Sequence, residues 1–360
     1  MNNTKYGRSS GFSLIELVSV LSISVSVGAV LTPALSHSRS QARGMSSEGN
    51  LATIGKIGAM YGLDNDDRIF TYTWQAGGIY INLKNGGTFQ PSTDIEAAAR
   101  QSTNILQRAT GRLFGDSGIL VPSQRIMHRQ FSHLVLADYL GGNVSDPMWA
   151  DPADANLLYW QANPLEYLED DNSFPYGNGI PDQAGFDIDA NWGLRGIVQK
   201  WAFASSYQTV PHAWQQDYEI TQYAPTDLSP HLFTTVAGQP ELGDRRFHEV
   251  RFSSAKVWMH EEFDREQAGS PYFAYDHAQP AKLMFDGSIN TAMSCLAASS
   301  VNPEDYLNGD KFVWEQTYLP LDTFPVPLGG LEDPTLLNMR YRWTLGGLQG
   351  IDYPQMLSRP

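Results

Sequence analysis

Gly7-Arg8-Ser9-Ser10-Gly11-Phe12-Ser13-Leu14-Ile15-Glu16-Leu17-Val18 carries more structural information than any other stretch of this chain. A basic, polar leader with Lys5 and Arg8 ends at the Gly11–Phe12 junction, and an apolar run begins at once. Glu16 interrupts that run, and the next charge is Arg39. A charge near the start of a membrane span is costly and is kept mainly where it has a role. From Phe12 to Leu35 a helix would be about 36 Å long at ~1.5 Å per residue, enough for a hydrocarbon core of about 30 Å. Pro33 removes an amide donor and clashes with the preceding turn, which predicts a bend or local melting near residues 29–33. Ser19, Ser22 and Ser26 share one helix face. Small hydroxyl residues let apolar helices approach closely and can bond back to their own carbonyls.

The arrangement resembles the N-terminal signal of type IV pilins and of the pseudopilins of type II secretion. The resemblance implies a prepilin peptidase that cuts between Gly11 and Phe12 and then methylates the new amino terminus. It implies that Glu16 neutralises the terminal amine of a neighbouring subunit during filament assembly, and that Pro33 is the helix-bending proline of the stem. Opposite charges attract strongly in low dielectric and suffer badly if left unpaired, which would make Glu16 a register device. The implied partners are the peptidase/methyltransferase, other copies or related subunits in a filament, and an inner-membrane assembly platform. The implied location is a single pass through a bacterial inner membrane with a periplasmic head, and after assembly a periplasmic or cell-surface fibre. An ordinary secretory signal also joins basic residues to an apolar run, and Ala34-Leu35-Ser36 offers small residues for cleavage before His37. The length of the run, the acid inside it and the Gly-Phe-x-x-x-Glu order weigh against that alternative.

Composition sets further limits. The 360-residue chain carries a net charge of −15, and loss of the leader would remove two basic residues and no acid. Such a surface repels nucleic acid and anionic lipid, so no nucleic-acid partner is expected. Cys295 is the single cysteine, which excludes an internal disulfide and a cysteine metal cluster within one chain. Plentiful aromatic residues, 9 Trp, 17 Tyr and 16 Phe, suffice for a large buried core.

The expected fold class is α+β. A long N-terminal helix, with a membrane half and an amphipathic half, packs on an antiparallel β-sheet head that carries a large loop-rich insertion. The boundaries are a leader at 1–11, a membrane or assembly half at 12–35, an amphipathic half at 36–62, and a head at 63–360 with an insertion at about 90–245. Leu51, Ile54, Ile57 and Tyr61 form the apolar stripe of the second half. Gly55, Gly58 and Gly62 lower helix propensity but permit close packing against a sheet, and Asp64-Asn65-Asp66-Asp67 ends the helix in turn chemistry. Strands are expected at 68–74 and 79–83, linked by a glycine turn. Thr93 and Glu96 predict a capped helix over 94–110 with Gly111 as its stop. A second helix is expected at 124–140, and an acidic, loop-rich stretch at about 143–195. Further strands are expected at 201–209, 249–260, 281–286 and 288–293, the last two turning at Asp286-Gly287, and at 311–318 and 339–345.

Two more blocks resemble the large planctomycete-type pseudopilins. The first runs through Ala42-Arg43, Asn50-Leu51, Ile54-Gly55, Met60-Tyr61 and Asp64–Arg68. Ser46 and Ser47 stand where those proteins often have cysteine. The second is His277-Ala278-Gln279-Pro280-Ala281-Lys282-Leu283-Met284-Phe285-Asp286-Gly287-Ser288, preceded by Ser253–Met259. It implies a structural motif in which His277 bonds backbone near the Asp286–Gly287 turn, although His277 and Asp286 stand one residue closer than is usual there.

Candidate chemistry is sparse, and no catalytic residues are assigned. Gly115-Asp116-Ser117-Gly118 matches a protease nucleophile motif without its flanking residues and reads better as a solvent turn. His260-Glu261-Glu262 with Asp264, Asp276, His277 and Asp286 would suit a metal if they converged, whereas polar residues at strand ends are the simpler reading. Asp170, Asp171, Asp182, Asp187 and Asp189 lie in an oxygen-rich, glycine-hinged loop that fits Ca2+ or plain solvation; no cofactor is certain. Trp149, Trp160, Trp192 and Trp214 would form a glycan-binding face if exposed, but such residues more often fill a core. The expected function is therefore a non-enzymatic structural subunit of a pseudopilus or type IV pilus-like fibre. The alternatives are a minor tip subunit or anchored binding protein recognising a glycan or surface, and, less favoured, a secreted hydrolase.

Overall fold

The computed structural model describes residues 13–113, 118–122, 126–169, 199–217, 223–225, 234–236, 242–267, 271–300, 313–314 and 336–357. The chain is a mixed α+β protein organised around one long helix, α1, Leu14–Asp64. Ser13 caps it: its hydroxyl accepts from the Glu16 amide at 3.2 Å, and the Glu16 carboxylate accepts from the Ser13 amide at 2.8 Å. This reciprocal pair satisfies two of the amides that every helix start leaves without partners. Ser19, Ser22, Ser26 and Thr32 each donate to the carbonyl four residues earlier at 2.8 Å, which hides their hydroxyls from an apolar surrounding. The local melting expected at 29–33 does not occur, because α1 runs unbroken through Pro33. The flanking turns hold the helix there despite the one ladder bond that proline cannot make. At the other end Asp66 and Asp67 adopt left-handed backbone, with φ of 54° and 64°, and the helix stops where the turn chemistry placed it.

The remaining elements are short. Strands β1 (Tyr80–Ile81) and β2 (Thr88–Phe89) form a hairpin, followed by α2 (Asp94–Thr110), α3 (Ala155–Ala162) and α4 (Pro164–Glu169). Then come β3 (Tyr207–Thr209), β4 (Tyr223–Pro225), β5 (Thr234–Val236), β6 (Val257–Glu261), β7 (Lys282–Met284), β8 (Ile289–Asn290), β9 (Val313–Trp314) and β10 (Leu336–Leu337). The central sheet has the order β3-β6-β7-β8 and is antiparallel throughout, with Tyr207 opposite Glu261 and Lys282 opposite both His260 and Asn290. β4 pairs with β5 and β9 with β10 as separate two-stranded units.

The second half of α1 packs on β7 and β8. Leu51 and Ile54 are fully buried there and join Trp258, Met259, Leu283, Met284 and Tyr341 in the main core. Three glycines bring the helix close. A Cβ at Gly55 would stand 2.9 Å from Leu283, one at Gly58 2.9 Å from Phe70, and one at Gly62 2.8 Å from Phe247. A second core joins α2, α3, α4 and the 201–203 turn through Leu106, Leu134, Trp160, Trp201 and Phe203.

Several expected elements take another form. The helix expected at 124–140 is a 3-10 helix confined to Ser132–Leu140, and residues 126–131 before it are non-helical, mostly turn. Phe131, Leu134, Ala137 and Leu140 repeat every third residue, which lines up on one face at three residues per turn. Residues 69–74 form no strand beyond the Arg68–Arg246 bridge. Their amides are taken instead by the Arg245 carbonyl, at 2.9 Å from Ile69, and by the Gln101 side chain, at 2.8 Å from both Thr73 and Trp74. The hairpin accordingly closes one segment later, between β1 and β2. Residues 340–343 are a 3-10 turn, and the strand that pairs with β9 lies just before them in β10. α2 has the expected limits, with Thr93 as cap and Gly111 at φ 72°. The β7–β8 turn has Gly287 at φ 85° and Asp286 accepting from the Ser288 amide at 2.9 Å.

Candidate functional site at the stem and its junction with the head

Two features stand out on α1. The first is its free half. Every described side chain from Ser13 to Arg39 is exposed, including Leu14 at 79% and Ile15 at 78%. Among the described residues this is the one helix long and apolar enough to cross a membrane. A monomeric soluble protein seldom exposes a continuous apolar surface of this kind. Glu16 sits in the first turn of this segment, engaged with Ser13, and Pro33 lies near its far end. Gly11 and Phe12 fall outside the described residues.

The second feature lies where α1 enters the head. The Ser40 hydroxyl donates to the Glu266 carbonyl at 2.8 Å. Ser47, fully buried, hydrogen-bonds to the Glu261 carboxylate and lies 2.9 Å from the Tyr207 hydroxyl. Asn50 donates to the Ala150 carbonyl at 3.2 Å. Asp151, Glu261 and Glu266 meet behind this seam, with carboxylate oxygens all within 4.8 Å of one another. Arg265 is the cation beside them, 3.0 Å from Asp154 and 3.6 Å from Asp151.

Burial governs the electrostatics of the group. Desolvation, followed by the charge of Asp151, pushes the Glu261 carboxyl well above the usual range. Desolvation raises Glu266 to about 7, again with Asp151 contributing. Asp151 is also raised by desolvation, against the pull of Arg265. Clustered carboxylates in low dielectric cannot all ionise without a compensating charge.

The metal site conceived around His260 does not form. His260 is fully buried on β6, its Nδ1 2.7 Å from the Glu261 carbonyl and its ring packed on Phe273 and Tyr341. Glu262 pairs with Arg129, Asp276 pairs with Arg340, and Asp264 accepts from the Gln279 amide at 2.8 Å. His277 is exposed, its ring 6.0 Å from that of Tyr275, and the hairpin turn is held by Asp286 and Ser288 rather than by His277. Each of these side chains is thus engaged with a different partner, so the set does not converge on one point.

The proposed glycan-binding face is likewise corrected: Trp149, Trp160 and Trp214 are buried core residues. Trp192, Asp170, Asp171, Asp182, Asp187, Asp189 and Gly115–Ser117 lie outside the described residues. Asp151 and Glu266 were missed by reasoning from sequence. Glu261 belongs to the candidate set read from the sequence around His260, and no local pattern connects it to Asp151. Comparison of the chain with protein-family models, with curated proteins and with solved structures finds no match.

Proposed function

We infer that this chain is a pilin-like structural subunit, a pseudopilin or type IV pilin relative. It is processed between Gly11 and Phe12, held in a bacterial inner membrane by the first half of α1 with its head in the periplasm, and polymerised through that helix. The observation that carries the reading is the free half of α1: a continuous exposed apolar helix, opened by a single acid, projecting from a folded head. Such a surface calls for lipid before assembly and for other helices after it. Glu16 supplies the register by meeting the amino terminus of a neighbouring copy, Pro33 tunes the path of the stem, and the head forms the outside of a secretion pseudopilus or pilus-like fibre. The prepilin peptidase/methyltransferase and an inner-membrane assembly platform are the partners this reading requires.

The deciding experiment is mass spectrometry of the mature amino terminus from native membranes. A methylated Phe12 is the expected result. A chain beginning at His37 would have lost the apolar stem and would sink the polymer reading.

A further inference from the structure

We propose that Arg39 and Arg43 of α1, with Arg265 of the head, form a headgroup site for an anionic phospholipid. The proposal rests on the reading of α1 as a membrane span. It goes beyond that reading because it concerns the junction with the head and does not require polymerisation.

Helix length places these residues at the right depth. Glu16 and Arg39 are separated by about 35 Å along α1 at ~1.5 Å per residue, against a hydrocarbon core of about 30 Å. With the first turn at one face of the bilayer, Arg39 emerges among the phosphates of the opposite face. Arg43 follows about 6 Å further on, on the same side of the helix. Basic residues are normally concentrated on the cytoplasmic side of a span, so an arginine pair beyond its far end calls for a local reason.

Neither guanidinium is neutralised within the described part of the chain. Both side chains are exposed and make no hydrogen bond or ion pair there. Their neighbours three and four positions away include Leu35, Ser36, Ala42, Ser46 and Ser47. No acid is therefore within helical reach, and the two like charges at this spacing repel each other. On the head, by contrast, Arg100, Arg112, Arg129 and Arg245 each hold a carboxylate. In a chain of net charge −15 the free basic pair is a local exception, and an anion from outside the chain resolves it.

The pair also borders a formed groove. Leu35, Ser36, Arg39 and Arg43 on α1 face Arg265 and Glu266 of the head across about 570 Å³. The lining passes from apolar at Leu35 to basic at Arg39 and Arg43, the order in which a phospholipid presents acyl chain and then phosphate. The planar fork of arginine suits phosphate oxygens. Arg265 is anchored by Asp154 at 3.0 Å, with Asp151 at 3.6 Å, so it forms a fixed wall while Arg39 and Arg43 supply the free charge. Glu266 is the one acid among the described lining residues. Its backbone carbonyl holds Ser40 at 2.8 Å, and desolvation raises its carboxyl to about 7, which weakens its opposition to an anion near neutral pH. A choline headgroup would bring its own cation against these guanidinium groups, so a net-negative lipid is favoured over a zwitterionic one. A lipid held between α1 and residues 265–267 would fix how the head stands on the membrane.

The test reconstitutes the full-length chain in vesicles of equal parts phosphatidylglycerol and phosphatidylcholine, then extracts it in mild detergent. Native mass spectrometry counts the lipids retained. The wild type is expected to keep phosphatidylglycerol about 25-fold over phosphatidylcholine, roughly fivefold from each free arginine. Arg39→Gln and Arg43→Gln should each lower that preference about fivefold, and the double variant should abolish it. Both positions are exposed, so these variants leave the core of the head untouched. Arg108→Gln removes an exposed charge from the last turn of α2 and should change nothing. Equal retention of the two lipids by the wild type would overturn the proposal. So would an equal loss in Arg108→Gln, which would reduce the effect to net charge. Displacement of the lipid by inorganic phosphate would mark a free-anion site and overturn it as well. An alkaline wash of the vesicles separates the two readings. A chain that washes off has no membrane span and loses this site with it, whereas a chain that stays but shows no lipid preference loses this site alone.

Discussion

Gly58 of α1 lies against the indole of Trp258, with the Phe70 ring beside it. A methyl group on Gly58 would stand 2.9 Å from Phe70 Cδ1 and nearer still to Trp258. The stem and the central sheet therefore meet at a point where only glycine fits. Gly58→Ala is expected to destabilise the head by about 1–3 kcal/mol through overpacking, although alanine favours a helix by up to ~1 kcal/mol. Gly49, exposed on the same helix with nothing within 4 Å of a built Cβ, is the control. Gly49→Ala should raise stability by up to ~1 kcal/mol. Thermal unfolding of the two variants side by side reads the opposite signs, and a stable Gly58→Ala would show that the stem does not press on the sheet.

Glu16 is engaged in a capping box with Ser13, and it is also the proposed charge partner of a neighbouring amino terminus. Glu16→Gln separates the two roles, because glutamine still accepts the Ser13 amide but carries no charge. The variant is expected to be processed normally and to fail in assembly. Mass spectrometry reads the first outcome, and electron microscopy of sheared or pelleted fibres reads the second. Fibres at wild-type abundance would leave Glu16 as a helix cap alone.

Lys200 is fully buried, its ammonium donating to the Leu120 carbonyl, and desolvation lowers it to about 7. Between pH 7 and the ordinary lysine value of 10.5, the unfolded chain holds a proton that the folded chain has released. Stability contributed by this group therefore rises with pH across that window and is flat below it. Lys200→Met is expected to abolish the rise, so its melting temperature relative to wild type should be highest at pH 6 and should fall as pH approaches 10. An equal difference at both pH values would mean that the amine is not titrating in the fold.

Arg129 and Glu262 are paired in the interior with side chains 7% and 8% exposed, and Arg129 also donates to Gln208 at 2.7 Å. Arg129→Met leaves a buried carboxylate without its counter-ion, a change that costs about 3–5 kcal/mol. Adding Glu262→Gln should recover most of that loss. Denaturant unfolding of the single and double variants measures the coupling, and additive losses would show that the pair is not energetically linked.

Local chemistry in the sequence determined the linear elements. The Ser13–Glu16 cap, the apolar run beyond it, and the turn at Asp64–Asp67 set out α1. Thr93 and Gly111 bound α2, and Asp286-Gly287 turns β7 into β8. Each depends on hydrogen bonds or backbone angles among residues a few positions apart, so the pattern is complete within a short window. Tertiary structure alone decided what lies between those elements. It buried Trp149, Trp160 and Trp214, and kept the extended 69–74 segment out of the sheet. It also brought Asp151 to Glu261 and Glu266 behind Ser47. Those outcomes depend on where remote segments are packed, which the spacing of neighbouring residues does not encode.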